Sequence, residues 1–362
     1  MPGPLTGLTI VEMAGLGPAP FAAMMLADHG ADVIRVEREG LIHVPNDPLL
    51  RSRRSISLDL KKEKAREIVC KLASDADGLI ETYRPGVMER LGLGPEELLG
   101  ANPKLVYGRV TGWGQDGPLA TSAGHDLNYL ALTGLLHGIG PKERPVVPVN
   151  YVADYAGGGM MLAFAMVAAL LEVQRGGEGQ VIDCAMSDGA ALVGALTYGL
   201  RAAGLWSDER ESNLLDGGEA AYGVYRCSDG QFLAVGAIEP QFRNALLDGL
   251  GVGADAGKED VAKAIALRSR DEWAAFFEGV DACVSPVLTL GEAPNHPHNR
   301  ARGTFLELDG VIQPGPAPRY SASRTNEPRP PRCAGADGEA ILAGLGYSSD
   351  EIGELRREGA LL

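Results

Sequence analysis

The sequence predicts an α/β protein of two domains, on three observations. Strand and helix patterns alternate through residues 1–206, a polar, glycine-ended stretch then interrupts them, and 362 residues exceed one ordinary core while falling short of three. LTIVEMAG reads as a strand, GLGPAP as a tight turn, FAAMMLADHGA as a helix and DVIRVER as the next strand, together one βαβ unit. The alternation continues through the helix KAREIVCKLASDA, the strand DGLIETYR, the helix GVMERLG and the strand LVYGRVTGWG. Such a chain builds a mainly parallel sheet with helices on both faces. A helix follows Gly124, a second begins near Tyr155, the strand GQVIDCAM comes next, and a third helical stretch covers Gly189 to Leu205.

SDERESNLLDGG, residues 207–218, reads as a linker. AAYGVYRC and QFLAVGAI form a hairpin across an SDG turn and open a smaller α/β domain over residues 219–310. QPGPAPRYSASRTNEPRPPRC is extended and proline-rich, so residues 311–332 carry the chain back across the first domain, which residues 333–362 complete. Ser348 and Glu351, at capping-box spacing, start a last helix in EIGELRREG.

A net charge of −15 argues against nucleic acid or an anionic membrane as partner, because both reward a basic surface. Five scattered cysteines without a C-x-x-C pair fit reduced thiols in a cytoplasmic protein. The first residues show no secretory signal and EGALL is no SKL-type address. The longest apolar run, MMLAFAMVAALL from Met160 to Leu171, is too short to span a bilayer and reads as a core helix.

Gly15, Gly17 and Pro20 after a strand, with Glu37 ending the next, approach the dinucleotide-binding fingerprint. Proline at the third glycine position breaks it, so a structural turn is expected and no nicotinamide cofactor. Arg35, Arg38, Arg51, Arg53, Arg54, Lys61, Lys62, Lys64 and Arg66 gather over a quarter of the 33 basic residues into less than a tenth of the chain. Arginine forks there suit phosphate groups, and a solvated charged surface explains the run equally well.

His125 stands beside Asp126 after Gly124, and 29 residues later Asp154 opens an apolar helical segment. An N-cap accounts for such an aspartate. Gly157 to Gly159 suggest a second role, since a first turn without side chains would let a ligand reach its N–H groups, where negative charge is favoured. His296 and His298, flanked by prolines without a carboxylate at useful spacing, read as a surface loop, and no metal is expected. His29 and His43 read as a helix end and a loop.

MAGLGPAPFAAMMLADHGADVIRVER, ETYRPGVMERLGLGPEEL, VYGRVTGWGQDGP, SAGHDLNYLALTGLLHGIG, NYVADYAGGGMM and VGAIEPQF stand in this order along the chain. The chain thereby resembles the family III CoA-transferase superfamily, and more narrowly its α-methylacyl-CoA racemase branch, up to the closing LGYSSDEIGELRREGAL. The resemblance implies a Rossmann-like large domain built from both chain ends, a small central domain and an interlocked homodimer. Its active site would lie between the large domain of one subunit and the small domain of the other.

The superfamily's aspartate corresponds to Asp154, the GHD histidine of the racemase branch to His125, and the glutamate of its EPQF segment, which pairs with that histidine, to Glu239. Basic contacts to CoA would come from Arg38, Arg54, Arg84 in YRPG and Arg90 in MERLG. The implied reaction removes and returns the α-proton of a 2-methyl-branched acyl-CoA through an enolate, with no cofactor beyond the CoA of the substrate. N–H groups at the start of the Asp154 helix would stabilise the enolate oxygen, and Met160, Met161, Leu214 and Leu215 offer an apolar tail site. Two alternatives remain: a CoA transferase with Asp154 as nucleophile, and a non-catalytic acyl-CoA-binding protein.

Overall fold

A computed structural model of the chain describes residues 3–38 and 44–362; His43 lies outside the described residues. The chain divides into two compact units: Met1–Thr133, Val149–Val193 and Gly303–Leu362 in the first, Gly134–Pro148 and Gly194–Arg302 in the second.

In the first unit six parallel strands, β1 (Thr9–Met13), β2 (Asp32–Glu37), β3 (Arg54–Ser57), β4 (Gly78–Glu81), β5 (Val106–Thr111) and β6 (Gln180–Ala185), lie in the order β3-β2-β1-β4-β5-β6. This is a doubly wound Rossmann-like arrangement, in which ligands bind beyond the carboxyl ends of the strands where the order reverses, here between β1 and β4. β1 and β4 at the centre of the sheet are buried, mainly apolar runs because both of their faces are covered. Val11, Ile34 and Leu79 pack with Ile68 and Leu72 of the helix Glu63–Asp75 and with Ile341, Leu342 and Leu355 from the end of the chain. The last helix, Ser349–Arg357, carries the expected capping box, with Ser348 and Glu351 bonding each other's backbone N–H groups.

The helices of the first unit that bear on the site are α1 (Pro18–Asp28), α2 (Glu63–Asp75), α3 (Val87–Arg90), α4 (Pro95–Ala101), α5 (Asp126–Leu132), α6 (Tyr151–Gln174) and α7 (Met186–Val193). The stretch Tyr151–Met160 of α6 is π-helical, a form that often accompanies functional sites. By length and apolarity α6 could cross a membrane. Only one of its faces is core: Leu162, Met166 and Leu170 are buried, whereas Phe164 is 70% and Leu171 46% exposed.

Three expectations change here. The basic run spreads over β2, β3 and α2, and its buried members Arg35, Arg51 and Arg53 are neither a solvated surface nor a phosphate site, whereas Arg38 is exposed. Arg51 is buried on Asp28 at 3.0 Å and on the carbonyl of Pro314 at 2.7 Å, Arg53 on Glu12 at 3.1 Å, and Arg35 is also on Glu12. The helix near Tyr155 begins four residues earlier, so Asp154 is not its N-cap. His298 belongs to a short helix, Pro297–Arg302.

The second unit contains the expected hairpin, Tyr222–Arg226 against Phe232–Gly236, extended by Val284–Pro286 into a three-stranded sheet. Residues 207–218, read as a linker, form an ordered loop of this unit. The Asn213 amide and the Asp216 carboxylate bond its backbone, and Lys258 holds Glu211 at 2.7 Å.

Candidate active site

A cleft of about 880 Å³ opens at the carboxyl ends of β1, β4 and β5, lined by residues 14–18 and 82–85 after the first two strands and by 111–113 at the end of the third. This is where the strand order places a ligand site, and the volume suits a large organic ligand. His125 and Asp154 both line it, as do Arg38 and Arg84.

Local chemistry fixes each side chain. The turn after β4 is shaped by Glu81, whose buried carboxylate accepts the Tyr83 N–H at 2.6 Å and binds Arg109 at 2.7 Å. Arg109 also holds Glu89 of α3 at 2.7 Å, so Tyr83 and Arg84 leave β4 on an anchored turn. Burial raises the proton affinity of Glu81 against the lowering effect of Arg109.

His125 is the N-cap of α5 and its backbone N–H donates to Asn128 Oδ1 at 3.1 Å. The imidazole makes no hydrogen bond among the described residues, and it is exposed to the cleft. Gly124 before it is required by Tyr129, because a Cβ at Gly124 would lie 2.6 Å from that ring. The Tyr129 hydroxyl bonds the Gly124 carbonyl, and its ring meets Trp113 edge-on at 4.8 Å.

Asp154 is half-buried in the first turn of α6, and Asn150 Nδ2 donates to its Oδ2 at 3.1 Å. Gly17 adopts φ 69°, which favours glycine, and its Cα faces the carboxylate, where a Cβ would make ordinary contact with Oδ2 at 3.5 Å. Burial raises the Asp154 carboxyl above the usual carboxylate range; Asn150 opposes this, the Asp126 charge adds to it and His125 opposes it.

Asp126 is the residue that sequence reasoning missed. It is 4% exposed, and its Oδ2 accepts the N–H groups of Ala153 at 2.7 Å and of Asp154 at 2.8 Å. Two of the N–H donors expected to face an enolate, those of Ala153 and Asp154, are therefore occupied. The three glycines do not open the helix start either. Gly157 packs on α7, where a Cβ would meet the Ala190 nitrogen at 2.4 Å, and Gly159 packs on α1, 2.7 Å from Phe21.

The remaining residues fall elsewhere. Arg54 is held by Asp32, with Nε 3.0 Å from Oδ1, and does not line the cleft. Arg90 is exposed on α3 outside the lining, and Met160, Met161, Leu214 and Leu215 are outside it too. Glu239 is the exposed N-cap of the helix Pro240–Leu250 in the second unit, with Pro240 in the first helical position. Glu37, the fingerprint's acidic residue, is buried and accepts from Ser55 Oγ at 2.7 Å.

Comparison with known proteins narrows what this cleft holds. The profile of CoA-transferase family III matches residues 5–337. The chain is 43% identical to the alpha-methylacyl-CoA racemase of Mus musculus and 42% identical to that of Homo sapiens, each alignment covering 98% of this chain and 96% of the relative. Among solved structures, a CaiB/BaiF family protein from Brucella suis superposes with a TM-score of 0.82 at 28% identity, covering 95% of this chain and 100% of that one.

Proposed function

That this chain belongs to CoA-transferase family III is the premise from which we propose its activity: it interconverts (2R)- and (2S)-2-methylacyl-CoA thioesters by α-proton removal and return. One observation carries the reading. His125 and Asp154, two groups able to exchange protons, line the same cleft in a chain whose near full-length relatives include racemases.

Inversion at the α-carbon needs a base on one face and an acid on the other, with an enolate between them. A proton-affinity gap of about ten pKa units between the α-carbon and the base corresponds to about 14 kcal/mol. Positioned acid–base groups contribute about 10²–10⁴-fold, and stabilisation of the enolate oxygen supplies much of the rest. His125 works on one face and Asp154 on the other, and their roles exchange with the handedness of the substrate. The raised proton affinity of Asp154 supports this, because it must be protonated in one direction and ionised in the other.

Arg38 and Arg84 at the cleft supply phosphate contacts in an otherwise acidic protein. The acyl chain lies toward Leu16, Ala120 and Met186, which also line the cleft. Glu239 orients His125 of a second copy in a homodimer. The exposed apolar side chains Phe164, Leu192 and Val193 support self-association. Five free thiols agree with a cytoplasmic protein.

The test combines chiral chromatography with intact-mass measurement after mixing the protein with one 2-methylacyl-CoA enantiomer. Racemisation with unchanged protein mass is expected. A covalent acyl or CoA adduct on Asp154 would replace the reading with a transferase, and binding without turnover would replace it with a binding protein.

A further inference from the structure

Asp126 is buried next to one proton-carrying group and bonded to the backbone of the other. It follows His125 directly in the chain, and its Oδ2 takes two N–H bonds from residues 27 and 28 positions downstream. Its other oxygen, Oδ1, is buried without a hydrogen-bond partner among the described residues. Its hydrogen bonding among the described residues therefore runs through Oδ2 alone.

We infer that Asp126 is a positioning residue: its carboxylate ties the entry of α5, which carries His125, to the first turn of α6, which carries Asp154, and so fixes how the two proton-exchanging groups face each other across the cleft. This rests on the racemase reading for its consequence and on geometry alone for the tie. Two backbone donors converging on one oxygen define the position of that oxygen more tightly than a single bond would. The first turn of α6 needs such a tie, because the side chain of Asn150, its N-cap, accepts none of that turn's N–H groups. Misplacement by about 1 Å can cost about 10²-fold in rate, so a rigid tie matters more for turnover than for binding.

The charge of Asp126 also raises the proton affinity of Asp154. The other polar and charged groups that bear on Asp154 are His125 and Tyr129 at α5 and Asn150 on its own segment, with Arg84 acting on Tyr129. The residues of α1 and α7 packed on this segment, Pro18, Phe21, Gly189 and Ala190, are uncharged, and Asp188 of α7 is exposed.

The test uses the full chain with Asp126→Ala and Asp126→Asn. Asparagine keeps an oxygen for both N–H groups and removes the charge. Asp126→Ala should lower kcat for racemisation by about 10²-fold with KM little changed, and Asp126→Asn should recover most of that loss. The acidic limb of kcat/KM in Asp126→Asn should move to lower pH. Amide exchange over residues 151–156 should quicken in Asp126→Ala and stay near wild type in Asp126→Asn.

A rise in KM with kcat unchanged in Asp126→Ala would overturn the inference, as would equal loss in both variants. Should the wild type itself show no racemisation, the racemase reading fails, and amide exchange alone then decides. Quickened exchange in the alanine variant still supports the tie, and unchanged exchange refutes it. If Asp126→Ala does not fold, Asp126→Asn carries the test alone: near-normal exchange over residues 151–156 with most of kcat kept supports the tie, and quickened exchange with kcat lost overturns it.

Discussion

Replacing Gly189 with alanine separates two accounts of the glycines around Asp154. In the structure Gly189 of α7 meets Gly157 of α6 backbone to backbone, and a Cβ at Gly189 would lie 1.8 Å from the Gly157 carbonyl oxygen. That is about 1.6 Å inside the 3.4 Å at which ordinary van der Waals contact begins. The obstacle is backbone, so no rotamer change relieves it and the helices must part. Overpacking of a tight contact costs about 1–3 kcal/mol, and a backbone collision belongs at the upper end, about 3 kcal/mol.

At about 2–4 °C per kcal/mol, the midpoint should fall by roughly 6–12 °C in thermal unfolding followed by circular dichroism. Racemisation should fall too, because Asp154 lies one helical turn before Gly157 on the displaced segment. Gly100→Ala is the control: its Cβ would meet nothing within 4 Å, so it should gain about 0.5–1 kcal/mol. A Gly189→Ala protein that melts with the wild type would refute the packing account. It would restore the view that these glycines serve to expose the start of the helix.

His125→Ala should suppress interconversion in both directions, by about 10²–10⁴-fold, with the unfolding curve unchanged; near-normal exchange would remove His125 from the mechanism. In the direction where Asp154 acts as base it must be ionised, so activity falls as pH drops through its raised pKa. The acidic limb of kcat/KM should accordingly lie above the usual carboxylate range and vanish in Asp154→Asn. Arg84→Ala should raise KM for any acyl-CoA with kcat little changed. Arg54→Ala, whose guanidinium is engaged with Asp32, should leave KM alone, and the comparison is read in steady-state kinetics. Arg51→Ala should cost about 3–5 kcal/mol in denaturant unfolding, because it strands the buried Asp28 carboxylate.

The parallel sheet was legible in the sequence because strands covered on both faces must be near-continuous apolar runs, as in TIVEM and DVIRVE. β3 was not, since RSIS carries an arginine and two serines in four residues and owes its place to its neighbour β2. The candidate bases were legible through motifs. The role of Asp126 was hidden for a physical reason: a carboxylate that bonds a helix 27 residues downstream leaves no periodic trace. Gly157 to Gly159 misled because glycine reports only that something comes close, and here that something is Ala190, Met186 and Phe21 rather than a ligand. The recurrence of glycine at Gly189 was the available signal of helix packing.

The most direct measurement incubates the purified protein with one enantiomer of a 2-methylacyl-CoA in D2O and follows α-deuterium and configuration together. The account predicts deuterium at the α-carbon accompanied by loss of optical purity, from either enantiomer. Bound substrate that keeps both its α-proton and its configuration would contradict it.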